Sequence, residues 1–258
     1  MKRLLESWKL LSLAAALAVC LSCVTAPAAD QATQAKPKAP PQSATKPVPR
    51  NGPRDKGWMD RHLKMNERVK QGHVDLVFIG DSITHGWEGK GKEVWQEYYG
   101  NRNAVNLGIG GDRTQHVLWR LENGNLEGIS PKLAVLMIGT NNSGSNTPAE
   151  IAAGVMAIIK ELHARVPKTK VLVLAIFPRG VDNTDPKRQV NAKANALVAE
   201  QVAGDPLVQF LDIGAKFLTP DGTLPKEVMA DRLHPGPAGY KTWAEAIEPI
   251  VAKEVGPK

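Results

Sequence analysis

Short apolar runs alternate with longer amphipathic stretches along most of the chain. Five of the runs are rich in Val, Ile, Leu and Ala and break off at polar or glycine residues. They lie at residues 74–79, 103–107, 132–138, 170–176 and 207–211. Strands of a parallel sheet have this composition, because helices cover such a sheet on both faces. The pattern therefore predicts five buried parallel strands.

Stretches with the helical spacing of apolar residues separate the predicted strands. They lie at residues 58–71, 92–99, 114–121, 147–166, 185–203 and 237–254. The fourth has a clear start, with Thr147 as N-cap, Pro148 at the first helical position and Glu150 at capping-box spacing. Since crossovers between parallel strands are right-handed, the alternation predicts a three-layer α/β/α sandwich. We expect a five-stranded parallel sheet in the flavodoxin-like order 2-1-3-4-5.

The first predicted helix opens the folded domain, which we expect to span residues 58–258. About 200 residues suit one domain with a substantial core. In this helix Met59, Leu63, Met65 and Val69 stand among charged residues, and they are the side chains expected to face the core.

The first 29 residues have the layout of a secretory signal peptide. Basic residues precede an apolar run over residues 10–21, and the tripeptide APA at residues 26–28 matches an A-x-A cleavage site. An uncleaved anchor is the alternative, although the run is short for a membrane span. The leader predicts an exported protein that is periplasmic, attached to the envelope or secreted.

Both cysteines, Cys20 and Cys23, lie within this leader. The residues around Cys23 partly resemble a bacterial lipoprotein signal, although Cys20 stands where leucine is usual. Lipidation at Cys23, which would tether the protein to a membrane, therefore stays open beside cleavage after Ala28. After such cleavage the mature chain has no thiol for a disulfide, a nucleophile or a metal.

Residues 30–57 are rich in Ala, Pro, Lys and Gln and have almost no large apolar side chain. They can bury too little surface to offset chain entropy, so we expect a disordered linker. Nine of the 33 Lys and Arg residues and three of the 26 Asp and Glu residues precede Trp58. The net charge of +7 thus belongs almost wholly to the leader and linker. The folded domain gives no case for a nucleic-acid partner.

Chemically useful residues follow the ends of the predicted strands. Ser82 follows the first strand, Gly111 lies in the glycine turn after the second, and Asn141 follows the third. In the expected strand order these three loops are neighbours at the carboxyl edge of the sheet. The loop after the fifth strand is long enough to bring Asp231 and His234 over the same crevice.

This set of residues suits acyl transfer from an ester. His234 would accept the proton of Ser82, and Asp231 would orient the imidazole. The N–H groups of Ser82 and Gly111, with the Asn141 amide, would hold the oxyanion of the tetrahedral intermediate. The structural alternative makes Asp81 or Ser82 a helix cap, and it makes the glycine and asparagine turn residues. Asp231 and His234 lack further ligands at metal spacing, so no metal or cofactor is expected.

Four blocks of this sequence resemble the SGNH (GDSL-type) hydrolases, which are named for Ser, Gly, Asn and His. The blocks are GDS at residues 80–82, Gly111, GTNN at residues 139–142 and DRLH at residues 231–234. Within that family the chain is most similar to the catalytic subunits of the intracellular platelet-activating-factor acetylhydrolase and their bacterial relatives. The similar stretches are NLGIGGDRTQHVLWRLENG at residues 106–124, IGTNN, and PRG followed by RQVNAKANAL.

The resemblance implies the SGNH fold and an esterase with the site roles given above. It also implies that Ile83 and Leu233 line a small acyl pocket that favours acetyl esters, and it leaves a homodimer open. The leader departs from the cytosolic setting of the animal enzyme, so a small ester or an O-acetylated glycan is the expected substrate. A lysophospholipase or thioesterase on the same residues, and a non-catalytic glycan-binding module, remain alternatives.

Other residues near these blocks allow two interpretations. His85 is a candidate substrate contact or a packed residue. Trp87 and Trp95 are interpreted as packing residues rather than sugar platforms, and Arg179 as either a rim residue of the site or a tie between loops.

Overall fold

The computed structural model of the chain describes residues 43–50, 52 and 55–258. The predicted leader and the first part of the predicted linker lie outside these residues, as does Cys23. Within the described part, no helix is both long enough and apolar enough to span a bilayer.

A five-stranded parallel sheet forms the centre of the molecule. Its strands are β1 (Leu76–Gly80), β2 (Ala104–Gly108), β3 (Leu133–Met137), β4 (Lys170–Leu174) and β5 (Val208–Leu211). Their order is β2-β1-β3-β4-β5, which confirms the predicted topology. Gly80 of β1 pairs with Gly108 of β2 and Met137 of β3, so these three strands end level with one another.

Seven α-helices occur in the described part of the chain. They are α1 (Lys56–Lys70), α2 (Ser82–His85), α3 (Lys92–Tyr99), α4 (Thr114–Arg120), α5 (Pro148–Arg165), α6 (Pro186–Val202) and α7 (Pro237–Val255). The predicted capping box of α5 is present, since Glu150 N donates to Thr147 Oγ1 and Thr147 N donates to Glu150 Oε2. The one-turn helix α2 agrees with the alternative that a helix starts at this point, and Asp81 is its cap.

Successive residues of the strands point into two separate cores, one on each face of the sheet. From β1, Val77 and Ile79 join the core that α1, α4, α5 and α6 cover, whereas Leu76 and Phe78 join the core that α3 and α7 cover. This burial of both faces explains why the strands are apolar throughout and confirms the three-layer α/β/α architecture.

The core beneath α3 and α7 is dominated by aromatic rings. Trp87 is fully buried and lies 4.6 Å from Tyr240 and 4.9 Å from Trp243, measured between ring centroids. Trp95 is half-buried and packs at 5.0 Å against Phe78. The interpretation of Trp87 and Trp95 as packing residues is therefore confirmed.

One face of α1 differs from the prediction. Leu63 is 51 % exposed, whereas His62 is buried together with Trp58, Met65 and Val69. The His62 ring stacks on Trp58 at 5.8 Å, so it is covered by a side chain that lies one helical turn away. Hydropathy predicts that leucine is buried in preference to histidine, but in α1 the stacking on Trp58 buries the histidine instead.

The linker prediction is wrong for residues 43–50, which pack on the domain and which we call the N-terminal strap. Thr114 Oγ1 donates to Ala44 O at 2.8 Å, and Val48 N donates to Gln115 O at 3.2 Å. Composition could not show this, because backbone groups rather than apolar side chains make these bonds. Helix α1 also begins at Lys56, before the expected start of the domain.

Candidate active site

Ser82 stands two residues after the end of β1, at the first position of α2. The helix is capped by its neighbour Asp81, whose Oδ1 accepts a hydrogen bond from Ile83 N at 3.0 Å. The hydroxyl of Ser82 is therefore not needed as a cap. As the first residue of a helix, Ser82 also has an N–H without an intrahelical acceptor.

The backbone around Ser82 is fixed by contacts on two sides. A Cβ on Gly108 would lie only 2.4 Å from His85 N, so the glycine lets α2 approach β2 closely. On the other side, the hydroxyl of Tyr240 in α7 donates to Ile83 O at 2.7 Å. The turn that carries Ser82 is thus clamped between the sheet and α7.

Asp231 and His234 lie on the loop before α7, in a turn that the Asp231 side chain itself organises. Its Oδ1 accepts the N–H of Leu233 at 3.1 Å and that of His234 at 2.8 Å. Arg232 takes the left-handed conformation at φ 58°, and its carbonyl accepts Gly180 N at 3.0 Å. Aspartate favours such turns because its short carboxylate reaches backbone N–H groups two and three residues on.

The structure brings the three predicted catalytic residues into one hydrogen-bonded chain. Ser82 Oγ lies 2.8 Å from His234 Nε2, and His234 Nδ1 lies 2.6 Å from Asp231 Oδ2. When Nδ1 donates its proton to the carboxylate, Nε2 is left to accept the proton of the hydroxyl. The hydroxyl, the imidazole and the carboxylate therefore stand in the order that acyl transfer by a serine requires.

Asn141 and Gly111 supply polar groups from the loops after β3 and β2. Asn141 Nδ2 donates to Asp112 O at 2.8 Å and lies 3.4 Å from Asp81 Oδ2. One of its two N–H bonds is thus fixed, and the other is weakly held and available to an oxyanion. Gly111 has a φ of 80°, which glycine adopts readily. Its N–H finds no hydrogen-bond acceptor among the described residues.

A buried ion pair supports the loop that carries Gly111. Arg120 Nε donates to Asp112 Oδ2 at 2.8 Å, and neither side chain is exposed. Trp58 Nε1 donates to Asp112 Oδ1 at 2.6 Å. Burial raises the pKa of Asp112, and the neighbouring Arg120 guanidinium opposes that rise. This network could not be predicted from the sequence, since nothing in the pattern of α4 shows that Arg120 points inward.

The pKa values of Asp81 and Asp231 are shifted in opposite directions. Asp81 is fully buried, and desolvation raises its pKa to about 7. Partial desolvation acts on Asp231 as well, but hydrogen bonds from His234 and Leu233 outweigh it and lower the pKa to about 2. Asp231 is therefore ionised at neutral pH and can stabilise a protonated His234.

The two residues expected to line an acyl pocket differ in exposure. Ile83 is 1 % exposed and belongs to the aromatic core, whereas Leu233 is half-buried at the edge of that core. Of the two, Leu233 has surface open to a ligand. Ile83 has almost none, so the expectation that its side chain lines an acyl pocket is not met.

The side chains of His85 and Arg179, for which the sequence left two interpretations, each bind a loop of the site. His85 Nδ1 accepts the N–H of Gly110 at 3.3 Å, and burial lowers the pKa of His85, which favours the neutral acceptor form. Arg179 Nη1 donates to Thr140 Oγ1 at 3.1 Å, beside Asn141. Each holds a loop that carries a proposed oxyanion donor.

Across residues 43–50, 52 and 55–258, no group of three or more His, Cys, Asp or Glu side chains is arranged to hold a metal ion.

Comparison with known proteins agrees with this arrangement. Residues 78–242 match the model of the GDSL-like lipase/acylhydrolase family. The platelet-activating factor acetylhydrolase IB subunit alpha1 of Bos taurus is 39 % identical over 211 residues, which cover 81 % of this chain and 89 % of the bovine protein.

Solved structures show the same fold. A GDSL-like lipase from Bacteroides thetaiotaomicron superposes with a TM-score of 0.59 at 21 % identity, over 75 % of this chain and 97 % of the lipase. The acetylxylan esterase Axe2 from Geobacillus stearothermophilus gives 0.55 at 22 % identity, over 72 % of this chain and 96 % of Axe2. At these identities the likeness supports the fold alone.

The α/β/α fold and these relatives define a carboxylic ester hydrolase. The chain belongs to the GDSL-like lipase/acylhydrolase family, which confirms the resemblance to SGNH hydrolases. Its substrates are accordingly small esters.

Proposed function

We propose that this protein is a serine esterase that removes short acyl groups, chiefly acetyl, from small esters or O-acetylated glycans. The observation that carries the proposal is the hydrogen-bonded chain from Ser82 Oγ to His234 Nε2 at 2.8 Å and from His234 Nδ1 to Asp231 Oδ2 at 2.6 Å.

In the proposed reaction Ser82 Oγ attacks the acyl carbon while His234 Nε2 takes the hydroxyl proton. The N–H groups of Ser82 and Gly111 and the Asn141 amide hold the resulting oxyanion. The imidazolium then returns the proton to the leaving alcohol, and an acyl-enzyme remains. Water, activated by the same imidazole, hydrolyses that ester and regenerates the serine.

Two features support a short acyl group and a larger alcohol. Leu233, which precedes His234 in the chain, places a bulky, half-buried side chain next to the proposed base, as expected for a small acyl pocket. The site is also open to solvent, which leaves room for a larger alcohol, because the side chains of Asp231 and His234 are 57 % and 36 % exposed. The name of the bovine relative, an acetylhydrolase, agrees with acetyl as the acyl group.

Export, lipidation at Cys23 and a homodimer are proposals that rest on the sequence and the resemblance. If the leader acts as predicted, the substrate is an ester of the envelope or the medium.

Hydrolysis of p-nitrophenyl acetate tests the proposal. We expect Ser82→Ala to lower kcat by at least about 10³-fold, because the nucleophile is lost. Ser130→Ala, which alters an exposed serine outside the site, serves as the matched control and should behave as wild type. Full activity of Ser82→Ala would refute the mechanism.

The same assay separates the alternatives. Acetyl esters should react faster than octanoyl esters, and the reverse order would favour a lysophospholipase or thioesterase. A chain that hydrolyses none of these esters and is not labelled by a fluorophosphonate at Ser82 would be a binding module. Acetylated xylooligosaccharides, acyl-thioesters and lysolipids then identify the alcohol.

A further inference from the structure

The N-terminal strap, residues 43–50, ends beside the loop that carries the proposed oxyanion donor Gly111. Arg50 Nη1 donates a hydrogen bond to Gly110 O at 2.6 Å. The carbonyl of Gly110 and the N–H of Gly111 belong to one planar peptide group and point in opposite directions. A guanidinium bound to the carbonyl therefore fixes the direction of the N–H on the far side.

Gly110 is held at both of its backbone groups by side chains from distant segments. Its carbonyl is bound by Arg50, and its N–H donates to His85 Nδ1 at 3.3 Å. A Cβ on Gly110 would lie 3.8 Å from the Cβ of Ser82, so this peptide passes next to the nucleophile. Its orientation decides where the adjoining N–H of Gly111 points.

Arg50 is itself held in place. Its guanidinium forms an ion pair with Asp55, and its Nη1 lies 4.0 Å from the buried carboxylate of Asp112. The side chain is only 22 % exposed. A Cβ on Gly111 would lie 2.5 Å from Arg50 Nη1, so the positive φ of Gly111 and the position of Arg50 depend on each other.

We propose that Arg50 is a positioning residue for the oxyanion hole and that the N-terminal strap is part of the catalytic domain. The guanidinium orients the peptide between Gly110 and Gly111. It also polarises that peptide, because a charged donor on the carbonyl strengthens the N–H on the other side as a donor. This inference rests on the proposed function, since it concerns the same site.

Kinetics of Arg50 variants test the inference. We expect Arg50→Ala to lower kcat for p-nitrophenyl acetate by about 10- to 100-fold with KM changed by less than about threefold, because misplacing one oxyanion donor weakens transition-state binding. Arg50→Lys keeps the charge but loses the planar fork that spans Gly110 and Asp55, so it should be intermediate. Lys46→Ala, an exposed residue on the same strap, should match wild type.

Two readouts separate positioning from a merely structural role. Guanidinium ion, at concentrations far below those that unfold proteins, should restore part of the kcat of Arg50→Ala but none of that of Asn141→Ala. The affinity of a trifluoromethyl ketone, whose adduct carries an oxyanion, should fall in Arg50→Ala by the same factor as kcat/KM.

Wild-type kcat in Arg50→Ala would overturn the inference and leave the esterase intact. A loss of kcat that guanidinium does not reverse, with unchanged ketone affinity, would also overturn it, since the strap would then act on stability alone. Full activity of Ser82→Ala would overturn the proposed function and the role of Arg50 together.

Discussion

Asp81 and Asp231 both border the pair formed by Ser82 and His234, yet their surroundings are opposite. Asp81 is fully buried and its pKa is raised to about 7, whereas the Asp231 side chain is 57 % exposed and its pKa is lowered to about 2. The sheet and α7 hold the backbone around Ser82, whereas the turn of residues 231–234 holds His234. Changes near Asp231 should therefore affect catalysis, and changes near Asp81 should affect stability.

The largest effect is expected from Asp231→Asn. The amide can still accept the backbone N–H groups of the turn, but it no longer imposes the required tautomer on His234. We expect kcat to fall by about 10⁴-fold, while the free energy of unfolding in urea changes by less than about 1 kcal/mol. A large loss of stability would contradict the contrast with Asp81, because the turn at Asp231 would then be needed for folding.

The buried side is tested by Arg120→Met. The substitution removes the guanidinium that pairs with buried Asp112 and leaves Trp58 Nε1 as the close donor to that carboxylate. Removing one partner of a buried ion pair typically costs about 3–5 kcal/mol. Urea unfolding followed by tryptophan fluorescence measures the loss. Arg165→Met is the matched control, because it removes only the partly exposed pair with Glu161 on α5, which is worth about 0.5 kcal/mol. Equal losses of unfolding free energy in the two variants would show that the buried pair stabilises the fold no more than the exposed pair does.

An effect of similar size is expected in the pH dependence of stability. Because the pKa of folded Asp81 is about 7 rather than the ordinary 3.8, the folded state keeps a proton that the unfolded chain releases between these values. The free energy of unfolding should therefore fall by a few kcal/mol as the pH rises from about 4 to about 7 and then level off.

Asp81→Asn should flatten that slope, and an unchanged slope would contradict the assignment to Asp81. Asp231 acts in the opposite direction. Its lowered pKa gives a contribution that is present above about pH 4 and is lost as the pH falls towards 2. Since its side chain is exposed, this contribution is small.

The sheet could be predicted from the sequence because burial on both faces leaves a simple signal in each strand. The exposure of α1 could not, because His62 is buried through pairwise contacts. It stacks on Trp58, and its ring lies 3.3 Å from Asn125 Nδ2. Asn125 is too far along the chain for the pattern of α1 to indicate this contact.

The residues of the candidate site could be predicted because each follows the end of a strand or belongs to a local turn. Ser82, Asn141 and His234 need only the strand order to be placed together. Their supports could not be predicted. Tyr240 and Arg50 reach the site from opposite ends of the domain, and only the folded chain shows what their side chains bind.

The N-terminal strap has an evolutionary consequence. Several of its residues are exposed, so substitutions there cost little in folding, and yet one of its side chains contacts the loop of the proposed oxyanion hole. Selection can therefore adjust turnover by point mutation outside the four blocks that mark the family. Variants that differ only before residue 51 would diverge in rate while every residue of the triad stays the same.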